Sequence, residues 1–396
     1  MRKNLFYVFA LVCSMSLFTA CSDDDDSKFP KDEVNATYTS TDASNQLQLL
    51  YSGEPMLGKS ATFNTTDGKT ATIVLKGVAT SLTKMNAASS AGSGVIPGEP
   101  STTLDVILNP VGGTGYTFKG KDENTSRTIE FEGSVEAGKL VLQLNVTIAN
   151  DLVGTWELYS YDPYGDVFPI RTVWDSNKNF ELDLLGMGFP VEMEPGGLLA
   201  VMSVMELIPV AEDKKLALQG VMTALLKNVT FRADGNIQAS YSEAANLANP
   251  VWKQSPLNLV QYSVKDGKIY LYLNVDAILA TVVGNQPSTK VDISTILPQL
   301  MELLPMVYNG IPLGYFVNEN GRLSVYLEKD LGVQLLTMLL PLLKDEELLA
   351  TIMESVNSNP DFAMFAGVVV GMLEQLPGVV AGTTNMELGL NFHSAK

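Results

Sequence analysis

A series of short segments in which polar and apolar residues alternate limits this chain to few folds. The segments follow one another closely from residue 46 to residue 148, and the turn TDGK at 66–69 separates Ser60–Thr65 from Thr70–Leu75. Asp-Gly between two alternating segments is a strong β-hairpin signal. Successive hairpins at regular spacing predict an antiparallel β-barrel or sandwich, which we assign to residues 41–150.

The second half of the chain repeats one hairpin pattern. Each copy has a strand, a turn in which Asp or Asn precedes Gly, and a second strand with apolar residues at alternate positions. The copies are Tyr262–Leu273, Tyr315–Leu327 and, less closely, Phe231–Ile237. A last alternating segment, Asn385–Phe392, predicts the strand that completes a second sheet within residues 151–396.

Apolar segments with helical spacing lie between these strands. They are Leu198–Ile208, Leu218–Leu226, Ile293–Leu304, Leu331–Leu343 and a segment that begins at Asn359. The predicted class is therefore α+β, mainly β. A helix that is apolar on all sides either is covered on all sides or lines an apolar cavity. The methionines suit both alternatives, because their flexible side chains fill irregular gaps and adapt to varied ligands.

The motif Gly-x-Trp at Gly154–Trp156 opens the second half. It resembles the first strand of lipocalin-like domains, and this resemblance implies that Trp156 plugs one barrel end, which is a structural role. In overall pattern the chain resembles the uncharacterised two-domain Bacteroidetes surface lipoproteins with calycin- or lipocalin-like β domains. That resemblance implies a lipocalin-like β domain with apolar helical insertions over residues 151–396, and it implies no activity.

The N-terminal residues predict export. Arg2 and Lys3 precede an apolar run from Leu5 to Phe18, which is shorter than the roughly 20 residues of a spanning helix. The run ends in LFTAC at 17–21, which resembles the bacterial lipobox, with Phe18 where Leu is usual. The resemblance implies that a signal peptide of residues 1–20 is removed and that Cys21 carries a lipid anchor such as palmitate.

An acidic segment follows the lipobox. It consists of Ser22, Asp23, Asp24, Asp25 and Asp26. Like charges repel one another, so residues 21–40 are predicted to form an extended, lipidated acidic linker. Serine and acidic residues at this place resemble the outward-export signal of Bacteroidetes surface lipoproteins. The resemblance implies a lipid-anchored protein of the outer membrane that is exposed on the cell surface.

Composition excludes several classes of function. A net charge of −18 repels phosphates, so we predict no nucleic-acid partner. The two cysteines, Cys13 and Cys21, lie in the export region, and the single histidine is His393 near the end. Thiolate metal sites and Ser-His-Asp triads need such residues in the folded body. We therefore predict that the chain is not an enzyme and has no catalytic residues, metal site or cofactor.

Two polar patterns resemble sites without completing one. Residues 175–179, DSNKN, match the first half of a calcium loop, but Phe180 stands where the loop needs glycine. We predict a plain hairpin turn there. Glu130 and Glu132 share one face of a predicted strand, where two glutamates form the solvated side more often than an acid–base pair.

Two functions are compatible with these observations. The first is binding of an apolar or amphipathic small molecule between the second sheet and its helices, because Leu and Met exceed what covering a sheet needs. The alternative is a surface accessory factor that binds a glycan or a protein. Alternating tyrosines favour it: Tyr159 with Tyr161, and Tyr270 with Tyr272. Aromatic residues also fit strands for purely structural reasons, and the sequence identifies no ligand-binding residue.

Overall fold

The structure is a computed structural model and describes residues 31–78, 93–183, 190–211, 214–284, 306–341, 350 and 366–395. Several predicted features lie outside the described residues: the signal peptide 1–20, Cys21, the acidic residues Ser22 to Asp26, the helix Ile293–Leu304 and the helix start at Asn359. Strands account for 49% and helices for 20% of the structure. These proportions confirm the α+β, mainly β class.

The first sheet closes into a β-barrel. Its strands are β1 (Ala36–Thr39), β2 (Gln46–Tyr51), β3 (Glu54–Pro55), β4 (Lys59–Asn64), β5 (Thr70–Gly77), β6 (Ser101–Val111), β7 (Gly115–Glu123), β8 (Arg127–Glu136) and β9 (Lys139–Ile148). The order is β1-β4-β5-β6-β7-β8-β9-β2, and β1 returns to β2 through Thr39 and Gln46, so eight strands form a ring. Neighbours are antiparallel, except that β2 runs parallel to β9 and β1. Of the two predicted alternatives, the structure is a barrel.

Strict alternation fills the barrel interior. In β8 the inward Ile129 and Phe131 are no more than 4% exposed, whereas the outward Glu130 and Glu132 are exposed. Leu104, Leu140 and similar side chains complete one continuous apolar cluster. Burying each such side chain stabilises the fold by roughly 1.5–3 kcal/mol. The barrel is therefore held together by its interior, with no cysteine in its strands.

The barrel begins inside the segment that the sequence predicts as a linker, residues 21–40. Helix α1 (Lys31–Val34) and strand β1 lie there. Tyr38 is fully buried, its hydroxyl donates to the Val34 carbonyl at 2.7 Å, and β1 pairs with β4. The linker prediction is wrong from Val34 onward. A four-residue strand carries too little alternation to be recognised without the strand that it pairs with.

The second sheet is built from the rest of the chain. Its strands are β10 (Gly154–Leu158), β11 (Ile170–Ser176), β16 (Leu226–Phe231), β17 (Ile237–Tyr241), β18 (Lys253–Gln254), β19 (Val260–Lys265), β20 (Lys268–Leu273), β21 (Ile311–Val317), β22 (Arg322–Glu328) and β23 (Thr383–Ser394). Two separate hairpins are β12 (Phe180–Leu182) with β13 (Val191–Met193), and β14 (Ile208–Ala211) with β15 (Lys214–Leu216). The order is β18-β17-β16-β10-β23-β22-β21-β20-β19. The three repeated hairpins of the sequence are thereby confirmed.

This second sheet curls into a half-barrel. Within the part of the chain that the structure describes, one β-bridge links Gln261 of β19 to Asn236, the residue directly before β17. The Tyr262 amide also donates to the Gly235 carbonyl oxygen at 2.8 Å beside it. Strand β23 is central, since it pairs with β22 along one edge and with β10 and β11 in succession along the other.

Helices lie between the strands of the second half of the chain. They are α2 (Pro195–Val204), α3 (Leu218–Leu225), α4 (Val275–Gly284), α5 (Lys329–Leu339) and α6 (Ala366–Ala381). Helices α2, α5 and α6 pack with Trp174, Leu198 and Met386 into a core of their own. The helices predicted near residues 198, 218 and 331 are confirmed, with ends shifted by a few residues. No helix among the described residues is long and apolar enough to cross a membrane.

Buried polar contacts join the two sheets. The Tyr51 hydroxyl donates to the Asp234 carbonyl at 2.6 Å, and the Asn258 amide donates to the carbonyls of Tyr51 and Glu54 at 3.2 and 3.1 Å. Tyr51 and Asn258 are at most 1% exposed. Buried polar groups are costly unless hydrogen-bonded, so these pairings make the contact between the sheets specific.

Candidate functional site

The concave face of the half-barrel is closed at one end. Trp156, Phe231, Tyr262 and Phe392 fill that end and are no more than 8% exposed. The Trp156 indole N–H donates to the Leu152 carbonyl at 2.9 Å, which fixes the ring. This placement agrees with the structural role that the Gly-x-Trp resemblance implies.

Away from this end, the apolar lining of the concave face is half-buried. The side chains concerned pack against the buried cluster and keep part of their surface exposed: Met222, Val264, Leu271, Leu313, Tyr315, Val325 and Leu390. In the closed barrel, by contrast, the inward residues of β8 are all buried. Among the described residues, the inner side of the half-barrel therefore has apolar surface that is only partly buried, unlike the inward side of β8.

The outer face of the same sheet carries a row of five residues that pair across five strands, here called the outer lane. Lys268 pairs with Gly314, Gly314 with Tyr326, Tyr326 with Gly389, and Gly389 with Arg171. A Cβ atom on Gly314 would lie 2.5 Å from Cε2 of Tyr326. The ring can lie low over the sheet because Gly314 has no side chain.

Arg171 closes one end of the outer lane. Its guanidinium carbon lies 5.0 Å from the centre of the Phe316 ring and 5.3 Å from that of Tyr326. Its Nε donates to Oε2 of Glu387 at 2.8 Å. A cation over aromatic rings gains roughly 0.5–2 kcal/mol. Arg171 is therefore held from two sides and keeps the rings in place.

Lys268 closes the other end of the outer lane. Its Nζ lies 2.5 Å from Oε2 of Glu328, and this hydrogen bond raises the pKa of Lys268. Burial raises the pKa of Tyr326. Near neutral pH the lane therefore presents a charged amine, a neutral phenol and a guanidinium.

Arg322, on the same face of β22 as Tyr326, approaches the ring of Phe316. Its guanidinium carbon lies 5.9 Å from the Phe316 ring centre, and it pairs across the strands with His393. Its Nε is shielded from solvent and has no hydrogen-bond partner among the described residues. His393 faces Glu157 at 3.9 Å and the Tyr159 ring at 5.2 Å. Thus Arg322, unlike Arg171, has no carboxylate partner in the described part of the chain.

The alternating tyrosines of the sequence have different surroundings in the structure. Tyr159 packs edge-on against His393, and the Tyr161 hydroxyl donates to the Val204 carbonyl at 3.1 Å. Tyr270 and Tyr272 lie half-buried on the outer side of β20. Tyr164, in the loop before β11, is 96% exposed. The four paired tyrosines do not form an exposed row.

A buried lysine lies where the first barrel meets the second sheet. Lys59 is 3% exposed, and its Nζ donates to the carbonyls of Ser93 and Gly94 at 2.7 and 2.9 Å. Burial lowers the pKa of Lys59 to about 8, although Asp276 nearby opposes this shift. The amine also donates to Oγ of Ser93, so three acceptors surround it and its role is structural.

Two polar patterns of the sequence have no site around them. The DSNKN segment is not the predicted hairpin turn, because β11 pairs with β23 and β12 pairs with β13, so the segment connects two sheets. Asp175 accepts a hydrogen bond from Asn385. Glu132 lines a groove of about 510 Å³ on the outside of the first barrel, whereas Glu130 does not.

Comparisons with known proteins give no relative. No protein-family model, curated protein or solved structure matches this chain. Among the described residues, no group of three or more His, Cys, Asp and Glu side chains could hold a metal ion. Function is therefore inferred from the geometry of this chain alone.

Sequence reasoning singled out none of Arg171, Phe316, Arg322 and Tyr326. They meet only when β11, β21, β22 and β23 are placed in register. One local signal existed, since a glycine within a strand often marks a close approach, and Gly314 and Gly389 are such glycines.

Proposed function

We propose that this chain is a non-catalytic protein that binds an apolar or amphipathic small molecule on the concave face of its second sheet. The observation that supports it is the half-buried apolar lining next to the Trp156 plug. Exposed apolar surface of this kind marks interaction sites, and ligand pockets are lined mainly by apolar side chains.

Burial of this apolar lining could supply more than half of the free energy that a micromolar complex needs. A ligand that removes about 200 Å² of this lining from water would gain about 5 kcal/mol at roughly 25 cal/mol per Å². A micromolar complex needs about 8 kcal/mol. A polar group on the ligand, facing the open side of the half-barrel, would contribute part of the remaining binding free energy. This favours an amphipathic ligand.

The first experiment is mass spectrometry of an organic extract of the purified chain from Ser22 to Lys396, which contains every described residue. A lipid-like species in stoichiometric amount would support the proposal and identify the ligand class. An extract without such a species, from protein that is folded by circular dichroism, would count against it.

A pair of variants locates the binding site. Leu313→Asn places an amide in the concave lining, and Ile107→Asn makes the same change at a residue of the first barrel that is 72% exposed. We expect a fluorescent apolar probe to bind about tenfold more weakly to Leu313→Asn, a loss of about 1.4 kcal/mol. Ile107→Asn should bind like the wild type. Equal binding by all three proteins would refute this location.

We also propose that the chain is a Bacteroidetes-type surface lipoprotein of the outer membrane, anchored through Cys21. The lipobox-like LFTAC and the acidic run Ser22 to Asp26 support this address. In cells fed labelled palmitate, the wild type should take up label and be cleaved by external protease, whereas Cys21→Ala should take up none. Label on Cys21→Ala, or wild-type protein that resists protease in intact cells, would contradict the proposal.

A further inference from the structure

We propose that the ligand of the concave face is an uncharged amphipath whose polar group is a hydroxyl or a carbonyl, and that the Tyr315 hydroxyl binds this group. The inference rests on the function proposed above, because it concerns the same apolar lining. It excludes fatty acids and other ionised lipids, whose tails would fit an apolar lining equally well.

The first support is that the charged residues of the sheet face outward. The acidic and basic residues of strands β19 to β23 are Lys265, Lys268, Arg322, Glu328, Glu387 and His393. They pair across the strands with one another, as Glu328 does with Glu387. Side chains alternate between the two faces of a strand, and the residues next to them, such as Ile269 and Leu323, belong to the inner apolar cluster. The inner side of these five strands therefore carries no charged side chain.

The second support is a hydroxyl group within the apolar lining. Tyr315 pairs with Val325, and Val325 pairs with Leu390, so the three residues form one row of the inner face. The Tyr315 side chain is half-buried, and its hydroxyl has no hydrogen-bond partner in the described part of the chain. Unlike the Arg322 Nε, this hydroxyl is not shielded from solvent. A ligand can therefore reach it.

The hydroxyl of Tyr262, at the closed end of the concave face, is not available in the same way. It donates to the Arg232 carbonyl at 3.1 Å and accepts a hydrogen bond from the Asn150 amide at 3.2 Å. The Tyr262 residue is also fully buried. Of these two inward tyrosines, Tyr315 is therefore the one that can bind a ligand.

The position of Tyr315 decides the charge of the group that it binds. Leu323 and Phe392, two residues along their strands from Val325 and Leu390, are no more than 4% exposed. A polar group bound to Tyr315 therefore lies among apolar side chains. Burying an ionised group there without an opposite charge is far more costly than burying a hydrogen-bonded hydroxyl or carbonyl, and the net charge of −18 further opposes an anion. The phenol can donate to either neutral group.

The experiment is displacement of the fluorescent probe N-phenyl-1-naphthylamine from the delipidated chain, Ser22 to Lys396, at neutral pH. The competitors are 1-dodecanol and dodecanoate, which have equal chain length and differ in the polar group; dodecanoate is ionised because carboxyl groups titrate far below neutral pH. Tyr315→Phe removes only the hydroxyl. Tyr270→Phe makes the same change on the outer side of β20 and is the control. Circular dichroism establishes that each variant is folded.

We expect dodecanol to displace the probe at a concentration at least tenfold lower than dodecanoate. Tyr315→Phe should weaken dodecanol binding about threefold to tenfold, which is the usual effect of losing one hydrogen bond, and should leave the affinity for the probe unchanged. Tyr270→Phe should change neither affinity. A carboxylate also leaves water less readily than a hydroxyl, so the variant decides the matter: equal dodecanol affinity in Tyr315→Phe and the wild type would overturn the inference. Dodecanoate that binds as tightly as dodecanol would overturn it as well.

The same titrations separate this inference from the proposed function. If the probe does not bind, or binds equally to the wild type and to Leu313→Asn, the proposed site on the concave face is refuted and this inference with it. If Leu313→Asn weakens probe binding but dodecanol is not preferred or does not depend on Tyr315, only this inference is refuted.

Discussion

The free energy of unfolding should increase as the pH rises from 8 to 9.5, because Lys59 is buried. Burial lowers the pKa of Lys59 from 10.5 to about 8 in the folded chain. Between these two values the unfolded chain therefore binds more protons than the folded chain. Stability rises with pH wherever the unfolded state binds more protons, so the gain appears above pH 8 and ends near pH 10.5.

The size of this gain follows from the difference between the two pKa values. A difference of one pKa unit corresponds to about 1.4 kcal/mol, so the whole window is worth about 3 kcal/mol. Between pH 8 and pH 9.5 the linkage relation gives about 1.6 kcal/mol. Asp276, the charged neighbour, does not change its protonation in this range, because carboxyl groups titrate far below it.

The assay is urea unfolding followed by far-ultraviolet circular dichroism at pH 8.0, 8.5, 9.0 and 9.5. Higher pH is avoided because burial raises the pKa of Tyr38 to about 12, so tyrosines that ionise in the unfolded chain lower the stability above pH 10. Lys59→Met should remove the rise, and Lys76→Met, at an exposed residue of β5, should keep it. A flat or falling wild-type profile, or the same rise in Lys59→Met, would refute the reasoning.

Variants at three other positions test the packing. A Cβ atom on Gly389 would lie 2.0 Å from the Val325 carbonyl oxygen, so Gly389→Ala should lower the free energy of unfolding by about 1–3 kcal/mol. The added Cβ of Gly367→Ala in helix α6 meets nothing within 4 Å, so this variant should be neutral or stabilising by up to about 1 kcal/mol. A lower thermal stability of Gly367→Ala than of Gly389→Ala would contradict this. Asn258 has a φ of 61° and its side chain joins the two sheets by hydrogen bonds, so Asn258→Ala should lower the free energy of unfolding by about 2 kcal/mol. Asn258→Gly should lower it less, because glycine adopts this φ without strain. Equal losses would assign the whole cost to the hydrogen bonds.

The hairpins could be predicted because their determinants are local. Asp-Gly and Asn-Gly turns, with apolar residues at alternate positions on both sides, specify pairing between neighbouring segments. Such patterns predicted Tyr262–Leu273 and Tyr315–Leu327, and the structure has β19 with β20 and β21 with β22 there. The mainly β class followed directly from these local signals.

Pairings between distant segments could not be predicted in the same way. Strand β1 was assigned to a linker, and nothing in its sequence shows that it pairs with β4 and closes the barrel. The parallel pairing of β2 with β9 also depends on how the whole ring closes. The turn predicted after Trp174 was wrong because β11 pairs with β23, far along the chain, rather than with its neighbour.

The outer face shows the same limit for the candidate sites. Arg171 and Phe316 lie on strands separated by most of the second half of the chain, and a shift of one residue in register would move either to the other face. The apolar lining was more accessible to sequence reasoning, because Leu and Met content indicated a large apolar surface. The sequence could not show which part of that surface stays uncovered.

The central position of β23 has a consequence for how the chain is made. Every strand that pairs with β23 precedes it in the sequence, and β10 lies more than two hundred residues earlier. During synthesis or translocation, the half-barrel can therefore not assemble until residue 394 has emerged, whereas the barrel from β1 to β9 is complete by residue 148. In the interval, the edges of β10, β11 and β22 that β23 will cover remain open to wrong partners. A chaperone that protects this chain during folding would therefore be expected to bind its second half.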